Sequence, residues 1–253
     1  MDSVCNTLGI DKVDMNGKLT LIEEQHNSNA NFLLSSIIFN AVRKNYGICF
    51  VIFHNTFNHY HNVGMKFGYN LTSLKEKGKV TVIEPMKAIV LNMECTKEQP
   101  TSTIRDIFMT IKSECDKMKD CTSVLIIIDD ISHFHNFGCD LKESMYYVRY
   151  LRSFLGHSPL FQLCIVAHTY KNELKACAPN IFVNGLKRMA HLLVKTEPLQ
   201  TGYSSDASGN ITINWRTNNV RIKYNWPETA KYMYKLSNRQ VQIYAPGTSV
   251  LSA

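Results

Sequence analysis

Short apolar runs alternate with stretches of helical periodicity through the first two thirds of the chain. Lys18-Leu19-Thr20-Leu21-Ile22-Glu23 reads as a first strand, and a polar stretch follows from Glu24 to Asn31. Leu34, Ile37, Ile38, Ala41 and Asn45 then recur at helical spacing, and Gly47 is expected to stop that helix. Ile48 to His54 is apolar up to its last residue, as a strand covered on both faces should be. The pattern continues with a helix over Phe57–Gly68, a strand over Val80–Glu84, a loop over 85–100 and a helix over Thr101–Met118. In that helix Ile104, Ile107, Phe108 and Ile111 share one face. Val124 to Ile128, all β-branched or large aliphatic, is the strongest strand signal. A helix near Leu141–Leu155 and a fifth strand over Phe161–His168 complete the alternation.

That order predicts parallel strands joined by right-handed crossovers, with helices on both faces of the sheet. From about His191 the character changes. Leu192–Thr196, Ile211–Arg216, Tyr232–Leu236 and Val241–Tyr244 are strand candidates separated by turn signals such as Ser208-Gly209-Asn210. Strands without intervening helices predict an antiparallel extension of the same sheet. The simplest division is one domain over 1–253: an N-terminal segment 1–16, an α/β core 17–190 and a β-rich extension 191–253.

Composition narrows this only a little. Of 253 residues, 45% are hydrophobic and 19% charged, an ordinary balance with ample material for a core. A net charge of +7 permits contact with nucleic acid without requiring it. The opening Met1-Asp2-Ser3-Val4-Cys5 lacks a basic segment followed by an apolar stretch, so no secretory signal is expected. The run Val124–Ile128 is much too short to span a bilayer. The eight cysteines are scattered without a CxxC pair, and Cys49 and Cys164 lie inside apolar strand candidates. Reduced thiols in a cytosolic or nuclear protein are therefore expected.

The turn after the first strand carries the sharpest chemical information. A P-loop ATPase places G-x-x-x-x-G-K-[ST] there: glycines let backbone amides close on phosphate, and lysine offsets its charge. This chain reads Glu23-Glu24-Gln25-His26-Asn27-Ser28-Asn29-Ala30-Asn31, with neither glycine nor lysine. Adjacent carboxylates would repel a triphosphate, with little screening inside a pocket. Val124 to Asp130 nonetheless has the shape of a Walker B strand, whose terminal Asp orients magnesium. The competing reading of Asp129 and Asp130 is a strand cap or a hydrogen bond to a neighbouring loop, and the missing phosphate loop favours it. Glu84, ending the third strand, stands where some RecA-like ATPases hold the carboxylate that activates water; for the same reason a solvated strand-end acid is preferred. Histidines gather as His54, His59 and His61, then as His133 and His135, each group after a strand. Their separations match no familiar zinc pattern and no cysteine stands at ligand spacing, so no metal or other cofactor is expected.

Several blocks in order along the chain resemble the sixth-subunit family of the Elongator complex. They are Gly17-Lys18-Leu19-Thr20-Leu21, Cys49-Phe50-Val51, Phe57-Asn58-His59-Tyr60, Val63-Gly64-Met65-Lys66-Phe67-Gly68 and Leu125 to Ser132. Asn184-Gly185-Leu186, Thr201-Gly202-Tyr203 and Tyr244-Ala245-Pro246-Gly247 complete the set, from near residue 17 to near residue 248. The resemblance implies a RecA-like α/β fold, a parallel sheet flanked by helices. It implies a non-catalytic place in a hetero-hexameric ring with Elongator subunits four and five. It also implies docking on the catalytic core, tRNA binding by the ring, and support of wobble-uridine modification. In such rings the segments after the fourth and fifth strands often point to the central channel. Those segments are His133–Lys142 and Thr169–Pro179, which makes Lys142, Lys171 and Lys175 candidates for tRNA phosphate contact. Two other function classes stay open. One is a degenerate ATPase subunit lending residues to a nucleotide site at a subunit interface. The other is a Rossmann-type methyltransferase, which lacks its required glycine-rich turn here.

Overall fold

The computed structural model describes residues 1–87, 100–118, 120–137, 139–157, 160–170, 177–200, 202, 204, 206–238 and 240–245. Nine strands form one sheet: β1 (Leu19–Gln25), β2 (Gly47–Ile52), β3 (Val80–Ile83), β4 (Val124–Asp129), β5 (Phe161–Thr169), β6 (Leu192–Glu197), β7 (Gly209–Trp215), β8 (Ala230–Leu236) and β9 (Val241–Tyr244). Their order is β3-β2-β4-β5-β1-β6-β7-β8-β9. The pairs from β3 to β6 are parallel and those from β6 to β9 antiparallel. β2 and β4 are buried along their whole length, which is why they read as unbroken apolar runs rather than as alternating ones.

Helices cover both faces. α1 (Asp2–Leu8), α2 (Asn31–Arg43), α3 (Phe57–Lys66) and α4 (Leu71–Glu76) close one core, built on Ile22, Phe50, Ile127 and Val166. α5 (Pro100–Lys117), α6 (Leu141–His157) and α7 (Ala178–Met189) close the other, built on Leu21, Val51, Ile128 and Ile165. Side chains at successive strand positions point to opposite faces, so Leu21 and Ile22 serve different cores. The short α8 (Asn218–Tyr224) lies between β7 and β8 and packs Val220 and Tyr224 against the first core. Among the described residues no helix is long and apolar enough to cross a membrane, and the described cysteines are free.

The structure departs from the sequence pattern in several places. β1 continues through Glu24 and Gln25, which pair with His168 and Thr169 of β5. α2 begins at Asn31 and ends before Asn45, whose φ of 58° is left-handed; Gly47 opens β2 and is not the stop. α1, α4, α7 and α8 were not expected. The most consequential is α7, which opens with Pro179 in its first turn, where the missing N–H is no loss. Its buried side carries Phe182, Val183 and Leu186, with Gly185 beside them. A Cβ on Gly185 would come within 2.9 Å of the Met145 sulfur on α6, a contact that the flexible end of the methionine would have to relieve. Because α7 supplies a crossover, β6 runs parallel to β1 and not antiparallel as expected; the antiparallel extension starts with β7. Of the segment expected as a loop over 85–100, residues 88–99 lie outside the described residues.

Candidate functional site

Two acids, Glu23 and Glu24, stand just before the last residue of β1, and strand alternation sends them to different sides. Glu23, 3% exposed, faces α7: the Lys187 ammonium lies 2.9 Å from one carboxylate oxygen and 2.8 Å from the other, and the Thr169 hydroxyl donates at 3.2 Å. This pair forms one wall of an open polar cavity of about 680 Å³ beside β5, β6 and α7. Glu24 faces the opposite side, towards the start of α2. Its Oε2 accepts the Ala30 amide at 3.1 Å, and the Asn31 amide donates to Asn29 Oδ1 at 2.9 Å. Helix N-termini present amides that suit an anion. Here the chain's own carboxylate and amide oxygens take those positions.

The rest of the mouth is built around Glu24. His168, near the end of β5, places Nε2 3.2 Å from Glu24 Oε1 and hydrogen-bonds Asp130 Oδ2 through Nδ1. Asp130, 1% exposed, follows β4 and also accepts the Ser132 amide at 2.7 Å through Oδ1. The Ser132 hydroxyl oxygen in turn accepts the His168 amide at 2.8 Å. Burial alone would lower the His168 pKa. The hydrogen bonds to Asp130 and Glu24 outweigh it and raise the pKa to about 10, so the ring is an imidazolium holding both protons. A β1 acid, a β5 cation and an acid after β4 thus form one ionic bridge across the carboxyl ends of three adjacent strands.

Asp129 stands beside this bridge with 3% exposure. It accepts the Tyr60 hydroxyl from α3, and Tyr60 oxygen in turn accepts the Asn55 amide group at 3.1 Å. The Asp129 pKa is raised to about 7: burial lifts it most and Asp130 and Glu24 add to the rise, while the Tyr60 hydrogen bond and His168 pull it down. The Asp129 Oδ2 is held by the Tyr60 hydroxyl. His54 and His133 stack 5.3 Å apart, and His54 meets the His168 ring edge-on at 6.1 Å. Burial lowers the His133 pKa, which favours the neutral ring beside His168.

Of the residues singled out in the sequence, the fold brings Glu24, Asp129, Asp130, His54 and His133 together. Glu23 is parted from them by one strand position. His59 and His61 stay on α3, His61 Nδ1 within 3.2 Å of the Thr72 hydroxyl. Glu84 stands past β3 and pairs with Lys87 at 2.7 Å. Lys142 is on α6, its ammonium 5.8 Å over the Tyr146 ring. Lys171, Lys175 and the side chain of His135 lie outside the described residues. Sequence reasoning missed His168, Tyr60, Ser132 and Lys187. His168 had a readable signal, as a titratable residue at the end of the apolar run Leu163–Ala167; Lys187 had none, because α7 itself was not recognised. Among the described residues no group of three or more His, Cys, Asp or Glu is arranged to hold a metal.

Residues 2–238 match the family model described as Elongation complex protein 6. Elongator complex protein 6 of Rattus norvegicus is 24% identical over 250 residues, covering 92% of each chain. The Homo sapiens protein of that name is 24% identical over 248 residues, again covering 92% of each. The Drosophila melanogaster protein is 23% identical over 232 residues and covers 89% of each. Among solved structures, the flagellar accessory protein FlaH of Methanocaldococcus jannaschii superposes with a TM-score of 0.62 at 12% identity, over 96% of this chain and 95% of that one. A KaiC-like protein of Pyrococcus horikoshii gives 0.59 at 11% identity, over 90% of each. These likenesses show the fold, which is RecA-like, with a mostly parallel sheet and antiparallel C-terminal strands.

Proposed function

The chain belongs to the Elongation complex protein 6 family, and on that premise we propose that it acts as a non-catalytic RecA-like subunit of the accessory ring of Elongator. One observation carries the non-catalytic part. The seat at the start of α2, where a RecA-like ATPase would hold phosphate, is taken by the Glu24 carboxylate on the Ala30 amide. His168 supplies the cation that a lysine would otherwise bring. A triphosphate would have to displace an internal anion from its amide and its counter-charge, and would then meet Asp129 and Asp130. Glycine is absent from the turn, so the backbone also lacks the freedom to wrap a phosphate.

On this reading the fold is retained for its surfaces. RecA-like domains form rings through heterologous, head-to-tail contacts, and this chain would take its place with Elongator subunits four and five. The assembled ring would bind tRNA, dock on the catalytic core and support wobble-uridine modification in the cytoplasm or nucleus. Lys142, Lys171 and Lys175 are its candidates for phosphate contact. Co-expression with the fourth and fifth subunits, followed by native mass measurement, tests the assembly. The expected product is a six-membered ring with two copies of each chain. A monodisperse monomer that ignores both partners would overturn it. Charge reversal at Lys171 and Lys175 in the intact ring should weaken tRNA binding and lower its salt slope by roughly one unit per lost contact. An interface nucleotide site, the competing reading, predicts instead that the ring loses ATP turnover when Asp129 is replaced by alanine.

A further inference from the structure

The face covered by α5 and α6 carries chemistry that the polar mouth does not use. The two helices part at their outer edges to leave a cleft of about 460 Å³, with Ile104, Phe108 and Met109 on one wall and Tyr146 and Tyr150 on the other. The Tyr147 ring contributes to its lining. Three of its residues are large, apolar and open to solvent: Met109 is 50% exposed, Tyr146 45% and Tyr150 63%. Single exposed apolar residues need no account, but a contiguous group lining a concavity marks an interaction surface.

Geometry and charge restrict what fits. A cleft between two helices offers ridges to a third helix at the usual interaxial distance of about 8–10 Å, and the i, i+3, i+4 stripe of an amphipathic helix is the matching shape. The rim is mainly basic. Arg105 lines the cleft from α5, Lys142 holds its ammonium over Tyr146, and exposed Arg149 precedes Tyr150 on α6. Against these stands Glu143, whose Oε2 accepts the Asp140 amide at 2.9 Å in a capping box. Nucleic acid is the poorer occupant, because the walls offer few donors or acceptors to a base and Glu143 places a carboxylate among the phosphates. A second copy of the chain is poorer still: a twofold contact would set one basic rim against another. We infer that the α5–α6 cleft docks an amphipathic helix of a partner protein, its apolar stripe in the cleft and its flanks acidic.

The test uses the full chain and three fluorescein-labelled, helix-stapled peptides: one with leucine at i, i+3, i+4 and i+7 and glutamate elsewhere, one with lysine in place of glutamate, and one with serine in place of leucine. Only the leucine–glutamate peptide should bind in the micromolar range. Tyr150→Ala should weaken it roughly tenfold or more, as truncation of a central aromatic anchor does. Arg105→Glu with Arg149→Glu should move the preference to the lysine peptide, while Ile222→Ala on the remote α8 changes nothing. Equal binding of the acidic and basic peptides overturns the inference, as does no binding at all. A labelled oligouridylate that binds wild type and is lost in Tyr150→Ala would assign the cleft to RNA instead. A concentration-dependent dimer abolished by Tyr150→Glu would assign it to a second copy.

Discussion

The mouth at the ends of β1, β5 and β4 and the cleft between α5 and α6 are opposites. In the mouth, charge is abundant and spoken for: Glu24 holds an amide and an imidazolium, Asp130 holds the imidazolium and the Ser132 amide, and Asp129 holds Tyr60. In the cleft, Arg105 and Glu143 are the charged side chains of a lining that is otherwise apolar or aromatic, with Met109, Tyr146 and Tyr150 exposed. A buried polar cluster that satisfies its own valences stabilises a fold and leaves nothing for a ligand. An apolar surface without a partner does the reverse. On the proposed reading, the place where the fold family would keep its chemistry serves as structure, and the outside of a helical layer is the surface with something left to bind.

The comparison can be broken most severely at Asp130. Asp130→Ala leaves a largely buried imidazolium with one partner and strands the Ser132 amide. Breaking one side of such a pair costs about 3 kcal/mol at the lower end of the usual range, and urea unfolding at neutral pH should show a loss of that order. Tyr60→Phe is milder. It removes the hydroxyl that donates to Asp129 and should cost about 2 kcal/mol by the same measurement. It should also push the Asp129 pKa further up, since that hydrogen bond is what pulls it down.

Titration gives a third test. The His168 pKa is raised in the folded chain to about 10, so its contribution is complete below about 6.5 and fades as pH rises through 10. Asp129 has the same sign in a lower window: its pKa is raised to about 7, so stability falls from about pH 4 to pH 7 as the buried acid ionises. Thermal unfolding of the wild type should therefore move to lower temperature between pH 7 and 10. His168→Gln should be less stable at pH 6 and should flatten that decline. An unchanged slope in the variant would mean that the ring is neutral and the ionic bridge is not formed. At the cleft the expectation is near zero. Tyr150→Ser should leave stability within about 0.5 kcal/mol of wild type, and a larger loss would make Tyr150 part of the core rather than of an open surface.

How much of this was legible depended on how local the signal was. β4 and β2 were readable because burial on both faces leaves no polar position to confuse the period. The missing phosphate loop was readable because it is a contiguous stretch of residue types. What replaced it was not. Glu23 and Glu24 look like one acidic pair in the sequence, yet period-two alternation assigns one to Lys187 and the other to His168. Their partners come from α7 and β5, more than a hundred positions away, and only the crossovers bring them near. α7 escaped because its apolar positions Phe182, Val183 and Leu186 stand among Pro179, Asn180, Asn184 and Gly185, residue types that also mark turns. β6 was assigned the wrong direction as a consequence. The α5–α6 cleft was half visible: the inward stripe of Ile104, Ile107, Phe108 and Ile111 could be read, but not that Phe108 and Ile104 would also line a concavity shared with α6.

The central claim is that the seat at the start of α2 is filled by the chain itself. Binding to the folded state raises thermal stability by mass action, so the direct measurement is the unfolding temperature of the pure chain against rising magnesium-ATP, with calorimetric titration on the same sample. The account predicts no shift and no saturable heat up to millimolar nucleotide. A saturable, stoichiometric stabilisation that disappears in Asp129→Ala would contradict it, because a phosphate would then be displacing Glu24 from the Ala30 amide.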